Sequence, residues 1–97
     1  MTTMSARHVA DQAARIMTAD RMDAYGHPLD NLTRIGRLWA ALLDVDEITP
    51  EQVALCMVAV KLSREVHAPA LDNTVDGIGY LLAMHEARQE RARRAAP

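Results

Sequence analysis

Thr49-Pro50-Glu51-Gln52-Val53-Ala54-Leu55-Cys56-Met57-Val58-Ala59-Val60 is the stretch whose reading decides the fold. Its first four residues spell a helix start. Threonine can cap, proline loses nothing by lacking an N–H at the first helical position, and glutamine three residues after the cap can close a capping box. Residues 53–60 are then apolar on every face, and the segment turns polar only at Lys61, Ser63, Arg64 and Glu65. A helix of that kind has to be covered all round. The chain has 97 residues, no Phe and one Trp, so it offers few elements to provide the cover. A chain of this size buries only about 60–65% of the surface its unfolded form exposes. Association with a second copy, as a dimer or tetramer, is the expectation.

The flanking segments are helical as well. Residues 5–25 place Val9, Ala13, Ile16, Met17 and Met22 at helical spacing behind a capping Ser5. Gly26 is expected to end this helix in a left-handed conformation, and Pro28 cannot continue it. Residues 29–43 repeat Leu32, Ile35, Gly36, Trp39, Leu42 and Leu43 as the inner face of a second helix, and residues 44–48 form a loop. Beyond the decisive stretch, His67-Ala68-Pro69-Ala70 is a break. A last helix runs from Leu71 to about Arg91, with Leu71, Val75, Ile78, Leu82 and Met84 inside, and residues 1–4 and 92–97 are expected to fray. No two-residue alternation persists and no internal repeat is visible. The expected architecture is all-α: one domain over residues 1–97, an antiparallel bundle of about four helices completed by oligomerisation.

Composition excludes several functions. With 11 basic and 13 acidic residues the formal charge is −2, which suits neither a polybasic membrane binder nor a general nucleic-acid coat. Arg88, Arg91, Arg93 and Arg94 read as a solvated helix end favoured by the helix dipole, with no aromatic platform for a nucleic acid. Cys56, alone and flanked by Leu55 and Met57, reads as core packing in a reducing compartment. Residues 1–7 are polar where a secretory leader would be apolar, and the longest apolar run falls far short of the ~20 residues that span a bilayer. The expected location is the cytosol. His8 and His85 lack metal-ligand spacing, the glycines form no phosphate loop, and Ser5 and Ser63 sit in no nucleophile motif.

Polar residues inside apolar segments carry the chemistry, because burying them is unfavourable unless they are paired. Lys61, Arg64 and Glu65 share one face at the end of the apolar helix, and Asp72, Asn73 and Asp76 share another at the start of the last helix. The short break between these helices implies an antiparallel hairpin that brings the two sets together. Two readings stay open. Ion pairs from Lys61 and Arg64 to Asp72 and Asp76 would fix the hairpin register. Alternatively, the carboxylates would hold Mg²⁺ while Lys61 and Arg64 meet phosphates, with Tyr80 one turn beyond Asp76. Tyr25-Gly26-His27-Pro28-Leu29-Asp30-Asn31 is likewise either a turn capped locally by Asp30 or Asn31, or a loop whose ring, imidazole and amide hold a base.

Taken together, the Tyr25 to Asn31 motif, Trp39, Thr49-Pro50-Glu51-Gln52-Val53-Ala54, Lys61-Leu62-Ser63-Arg64, Asp72 and Val75-Asp76-Gly77-Ile78-Gly79-Tyr80 carry a resemblance. Over about residues 20–85 the chain resembles small phage-encoded domains of unknown function related to MazG-like all-α nucleotide pyrophosphohydrolases. The resemblance implies hydrolysis of a nucleoside triphosphate to monophosphate and pyrophosphate, in the host cytoplasm. It casts Glu65, Asp72 and Asp76 as the catalytic, Mg²⁺-holding acids, and Lys61 and Arg64 as phosphate ligands. Tyr25, His27, Asp30, Asn31, Asn73 and Tyr80 become substrate contacts. The enzymes carry Glu-Glu-x-x-Glu and Glu-x-x-Asp; here Lys61-Leu62-Ser63-Arg64-Glu65 and Asn73-Thr74-Val75-Asp76 stand in their places. Cations on the pocket wall can meet phosphate without a bridging metal. A non-catalytic module for a nucleotide or nucleotide signal, and a purely structural helical oligomer, are therefore the alternatives.

Overall fold

Ser5 opens the first helix as the sequence predicts, its Oγ accepting from the His8 backbone N–H at 3.1 Å. The structure is a computed structural model describing residues 4–97; of the terminal stretch expected to fray, residues 1–3 lie outside the described residues. Helix α1 spans Ala6–Arg15, widens into a π turn over Ile16–Asp20, and resumes as α2, Arg21–Tyr25. Thr18 Oγ1 donates back to the Ala14 carbonyl at 2.7 Å, a bond that bends helices. The widening keeps one face in register. Val9, Ala13 and Met17 are buried at steps of four, and in an α-helix each such step overshoots a full revolution by about 40°. A π turn bonds i to i+5 and takes more residues per revolution, which withdraws part of that drift. The next member of the series, Arg21, therefore still faces the last helix.

Gly26 ends α2 with φ 79° and ψ −168°. The positive φ was expected, but this is the extended region open essentially to glycine alone, not the left-handed helical one. Helix α3, Pro28–Leu43, is capped by His27, whose Nδ1 accepts from the Leu29 N–H at 3.0 Å. The cap expected from Asp30 or Asn31 thus comes from the imidazole. Asp44 closes α3 in the left-handed region, φ 54°. The capping box forms in full. Thr49 Oγ1 accepts from Gln52 N–H at 3.1 Å, and Gln52 Oε1 accepts from Thr49 N–H at 2.8 Å. Helix α4 runs Pro50–His67 and α5 runs Leu71–Ala95.

Helix α5 is the hub, packed against α1, α3 and α4. The core gathers Met17, Leu29, Leu32, Val53, Ala54, Ala83 and Ala87, and a second cluster joins Val9, Ala13 and Val75. Gly36 is buried because the Ile48 carbonyl lies where its Cβ would stand. Elsewhere burial falls short of the pattern in the sequence. Leu42, Leu43 and Leu71 are exposed, not inner residues. Cys56 is exposed rather than core. On α4 only Val53 and Ala54 are buried, while Leu55, Val60, Leu62 and Val66 face solvent. The molecule measures 49 × 34 × 19 Å, and its thinnest dimension fits about two helices of 10 Å diameter. Helix α1 packs on α5, and α3 on both α5 and α4; among the described residues the outward side of α4 stays exposed. No helix among the described residues is long and apolar enough to cross a membrane.

The C-terminal arginines are solvent-exposed, as expected, and also act as clamps. Helix α5 continues past the expected stop at about residue 91, with Arg93 and Arg94 binding Glu90 at 2.6 and 2.8 Å. Arg91 forks onto Glu51 at 2.9 and 2.7 Å, tying α5 to the start of α4. Arg94 forks onto Asp30 at 2.7 and 2.9 Å, tying it to α3. The Arg91 hydrogen bond, against the opposing effect of burial, holds the Glu51 carboxyl at about 2 rather than 4.5. A carboxyl depressed in the folded state stabilises it above the unfolded value, and the contribution fades as pH falls through the folded one. The thermal midpoint should therefore drop on acidification from about 4.5 towards 2. Glu51→Gln should lower the midpoint at neutral pH and flatten that drop, as followed by circular dichroism; parallel profiles for the two proteins would remove the clamp from the account.

Candidate functional site

The hairpin brings the expected polar sets together, and each residue has a definite partner or none. Lys61 Nζ pairs with Asp76 Oδ2 at 3.0 Å, with side-chain exposures of 14% and 32%. Glu65 Oε1 accepts from Asn73 Nδ2 at 3.0 Å and from the Ala70 N–H at 2.9 Å. Those two bonds, the Asn73 amide first, hold its carboxyl below the ordinary glutamate value. Asn73 Nδ2 also reaches the Ala68 carbonyl at 3.4 Å. Arg64 and Asp72 make no ion pair among the described residues. Both line an open depression with Lys61 and Asp76. Of the pairing expected between the two sets, Lys61 to Asp76 forms and Arg64 to Asp72 does not.

Three carboxylates on two helices were expected to share a Mg²⁺ ion, and the donor set does not fit one. Among the described residues no group of three or more His, Cys, Asp or Glu is placed to hold a metal. Glu65 caps the start of α5, Asp76 is taken by Lys61, and Asp72 is exposed. Mg²⁺ demands near-octahedral oxygen ligands and gives up its waters reluctantly, so one carboxylate without such a partner is a poor anchor.

A cavity of about 100 Å³ lies between α1, the π turn, α2, α3 and α5, and Met57 of α4 also lines it. Its walls are largely apolar: Ile16, Met17, Leu32, Ile35, Val75 and Ala83. Polar groups enter along one side from segments distant in sequence. Tyr25 and Asn31 come from either end of the turn, Asp76 and Tyr80 from α5, and Arg21 from α2. Of the loop residues singled out in the sequence, Tyr25 and Asn31 line the cavity. His27 and Asp30 do not: the first caps α3 and the second is held by Arg94, whose hydrogen bond lowers its carboxyl below the ordinary aspartate value. Asp76 lies on the border, since it lines both the cavity and the outer depression.

Arg21 is the lining residue that sequence reasoning missed. Its guanidinium carbon stands 4.8 Å from the centre of the Tyr80 ring. Both terminal nitrogens lie 3.5 Å from the Tyr80 hydroxyl, the weak limit of a hydrogen bond. The buried series Val9, Ala13, Met17, extended by one further step of four, lands on this arginine and was the available signal.

The domain of unknown function DUF6378 matches residues 8–88. The chain is 36% identical over 69 residues to the "Gene 55 protein" of Mycobacterium phage L5, which covers 70% of this chain and 44% of that protein. The chain therefore spans less than half the length of this phage relative. No solved structure gives a significant match.

Proposed function

The chain belongs to the DUF6378 family, a domain of unknown function, and for this member we propose a MazG-like nucleotide-handling role in which the cavity receives the base. The observation that carries the reading is the convergence of Tyr25, Asn31, Asp76 and Tyr80 on one apolar cavity. A flat ring between apolar walls with a few convergent polar groups is how small-molecule sites recognise planar ligands. At about 100 Å³ the space suits a ring system and not a whole nucleotide, since sites for drug-sized ligands begin near 300 Å³. The sugar and phosphates then lie outside. Asn31 offers both a donor and an acceptor to a base edge, and the Asp76 carboxylate offers acceptors.

The engagement of Glu65 and Asp76 with protein partners favours binding over Mg²⁺-dependent hydrolysis. No catalytic step is assigned to them. The exposed outward side of α4 supports the second half of the proposal, a homo-oligomer. Leu55, Ala59, Leu62 and Val66 recur at steps of four, three and four along α4, all exposed. Beside them an apolar groove of about 270 Å³ is lined by Val58, Leu62, Ile78 and Leu81 with Gly77. A second copy presenting the same stripe is the occupant whose shape and chemistry match.

A thermal-shift and calorimetric screen of purine and pyrimidine nucleotides, with and without Mg²⁺, tests the ligand reading. Saturable binding that does not need Mg²⁺ is expected, with at least a tenfold loss in Tyr80→Ala. Absence of binding by the whole panel would overturn the nucleotide reading, and Mg²⁺-dependent pyrophosphate release would restore hydrolysis.

A further inference from the structure

Of the 11 Lys and Arg residues, five are held in ion pairs among the described residues. Lys61 holds Asp76, Arg88 and Arg91 hold Glu51, and Arg93 and Arg94 hold Glu90 and Asp30. Arg21 differs. It makes no ion pair among the described residues, and its guanidinium donors meet only the Tyr80 hydroxyl, at 3.5 Å. Arg7, Arg15, Arg34, Arg37 and Arg64 are likewise unpaired among the described residues, but of the described Lys, Arg and His residues Arg21 alone lines the cavity. A guanidinium has five donors in a planar fork that matches an oxyanion through two parallel bonds. Here its central carbon stands over an aromatic ring, 4.8 Å from the centre, an arrangement whose attraction is small where solvent reaches it.

We infer that Arg21 reads a single phosphate on the ligand, so that the preferred ligand is a nucleoside monophosphate rather than a triphosphate. This rests on the nucleotide reading of the cavity. The guanidinium occupies a face of Tyr80 on which a base could stack. An entering base takes over that face, and the displaced guanidinium turns to the phosphate that the small cavity leaves outside. One fork satisfies one phosphate group bidentately. Among the described residues no second cation lines the cavity itself, and the unpaired Arg64 lies in the outer depression instead. The π turn contributes the placement: without its withdrawal of helical drift, residue 21 would rotate away from α5.

Calorimetric titration of the full chain with a nucleoside, its 5′-monophosphate and its 5′-triphosphate reads this directly. The monophosphate is expected to bind at least tenfold more tightly than the nucleoside, with a gain that shrinks as salt rises, and the triphosphate no more tightly than the monophosphate. Arg21→Gln should erase the difference in affinity between monophosphate and nucleoside. Arg21→Lys, which keeps the charge but not the fork, should retain part of the gain, and it gives the same readout should the glutamine variant fail to fold. Equal affinity for nucleoside and monophosphate in the unaltered protein would overturn the assignment of Arg21 and leave the base site standing. A triphosphate preferred tenfold would overturn the single-phosphate inference. Failure to bind any of the three would sink both this inference and the nucleotide reading.

Discussion

Gly36→Ala is expected to destabilise the fold, against the usual direction for that change. In an exposed helix interior the substitution gains up to about 1 kcal/mol, because alanine loses less conformational freedom on folding. At position 36 the added methyl would penetrate the Ile48 backbone carbonyl, with Val53 Cγ2 behind it at 3.5 Å. The obstruction is main chain, next to the Thr49 cap that starts α4, so relief requires moving the capping box away from α3. Overpacking of this kind costs about 1–3 kcal/mol. In a domain of this size each kcal/mol shifts the thermal midpoint by roughly 4–8 °C. Thermal unfolding checks it. A midpoint equal to or above that of the unaltered protein would show that the loop yields freely and that the close approach stabilises nothing.

The largest effect on assembly is expected from Leu62→Glu. Leu62 is 62% exposed in the single chain, and its neighbours on the stripe, Leu55 and Val66, are 51% and 87% exposed. Steps of four and three residues are those of a helix seam that packs against a partner helix. Burying a leucine at such a seam contributes about 1.5–3 kcal/mol, and a carboxylate left there without a partner is strongly unfavourable. Because a two-fold interface contains the position twice, the dissociation constant should weaken by 100-fold or more, about 2.7 kcal/mol. Light scattering across a concentration series gives the readout: dimers or larger for the unaltered chain and monomers for the variant. A monomer in both would remove the oligomer. A variant that stays dimeric would move the interface to the other exposed patch, around Leu38, Leu42 and Leu43.

What the sequence disclosed is what local chemistry decides. Thr49, Pro50 and Gln52 specify a helix start through bonds that span three residues, and the structure forms both. Gly26 marks a stop because few other residues can take its backbone angles. The nearness of Lys61 to Asp76 follows from a short hairpin connection. Long-range pairing was not legible. Arg91 finds Glu51 across 40 residues and Arg94 finds Asp30 across 64, and an arginine run among alanines gives no hint of carboxylates so far away in the chain. Burial was overread for the same reason. Leu42 and Leu43 fit the helical period of α3, yet α5 and α4 cover only the other side of that helix. At the candidate site, Tyr25, Asn31, Asp76 and Tyr80 stood out as polar or aromatic residues beside apolar runs. Arg21 did not, because the step-of-four series that points to it runs through the π turn, whose wider winding the sequence does not announce.

That wider turn has an ancestry written into its geometry. Such a turn is what an ordinary helix becomes when one residue is slipped into it, so removing a single codon from 16–20 would restore a uniform rod and leave the arginine on nearly its present face. In evolutionary terms, the widened turn lets a one-step length change occur upstream of an intact scaffold. Relatives shorter by one amino acid at that point would share the bundle and keep the same residue turned toward the last helix.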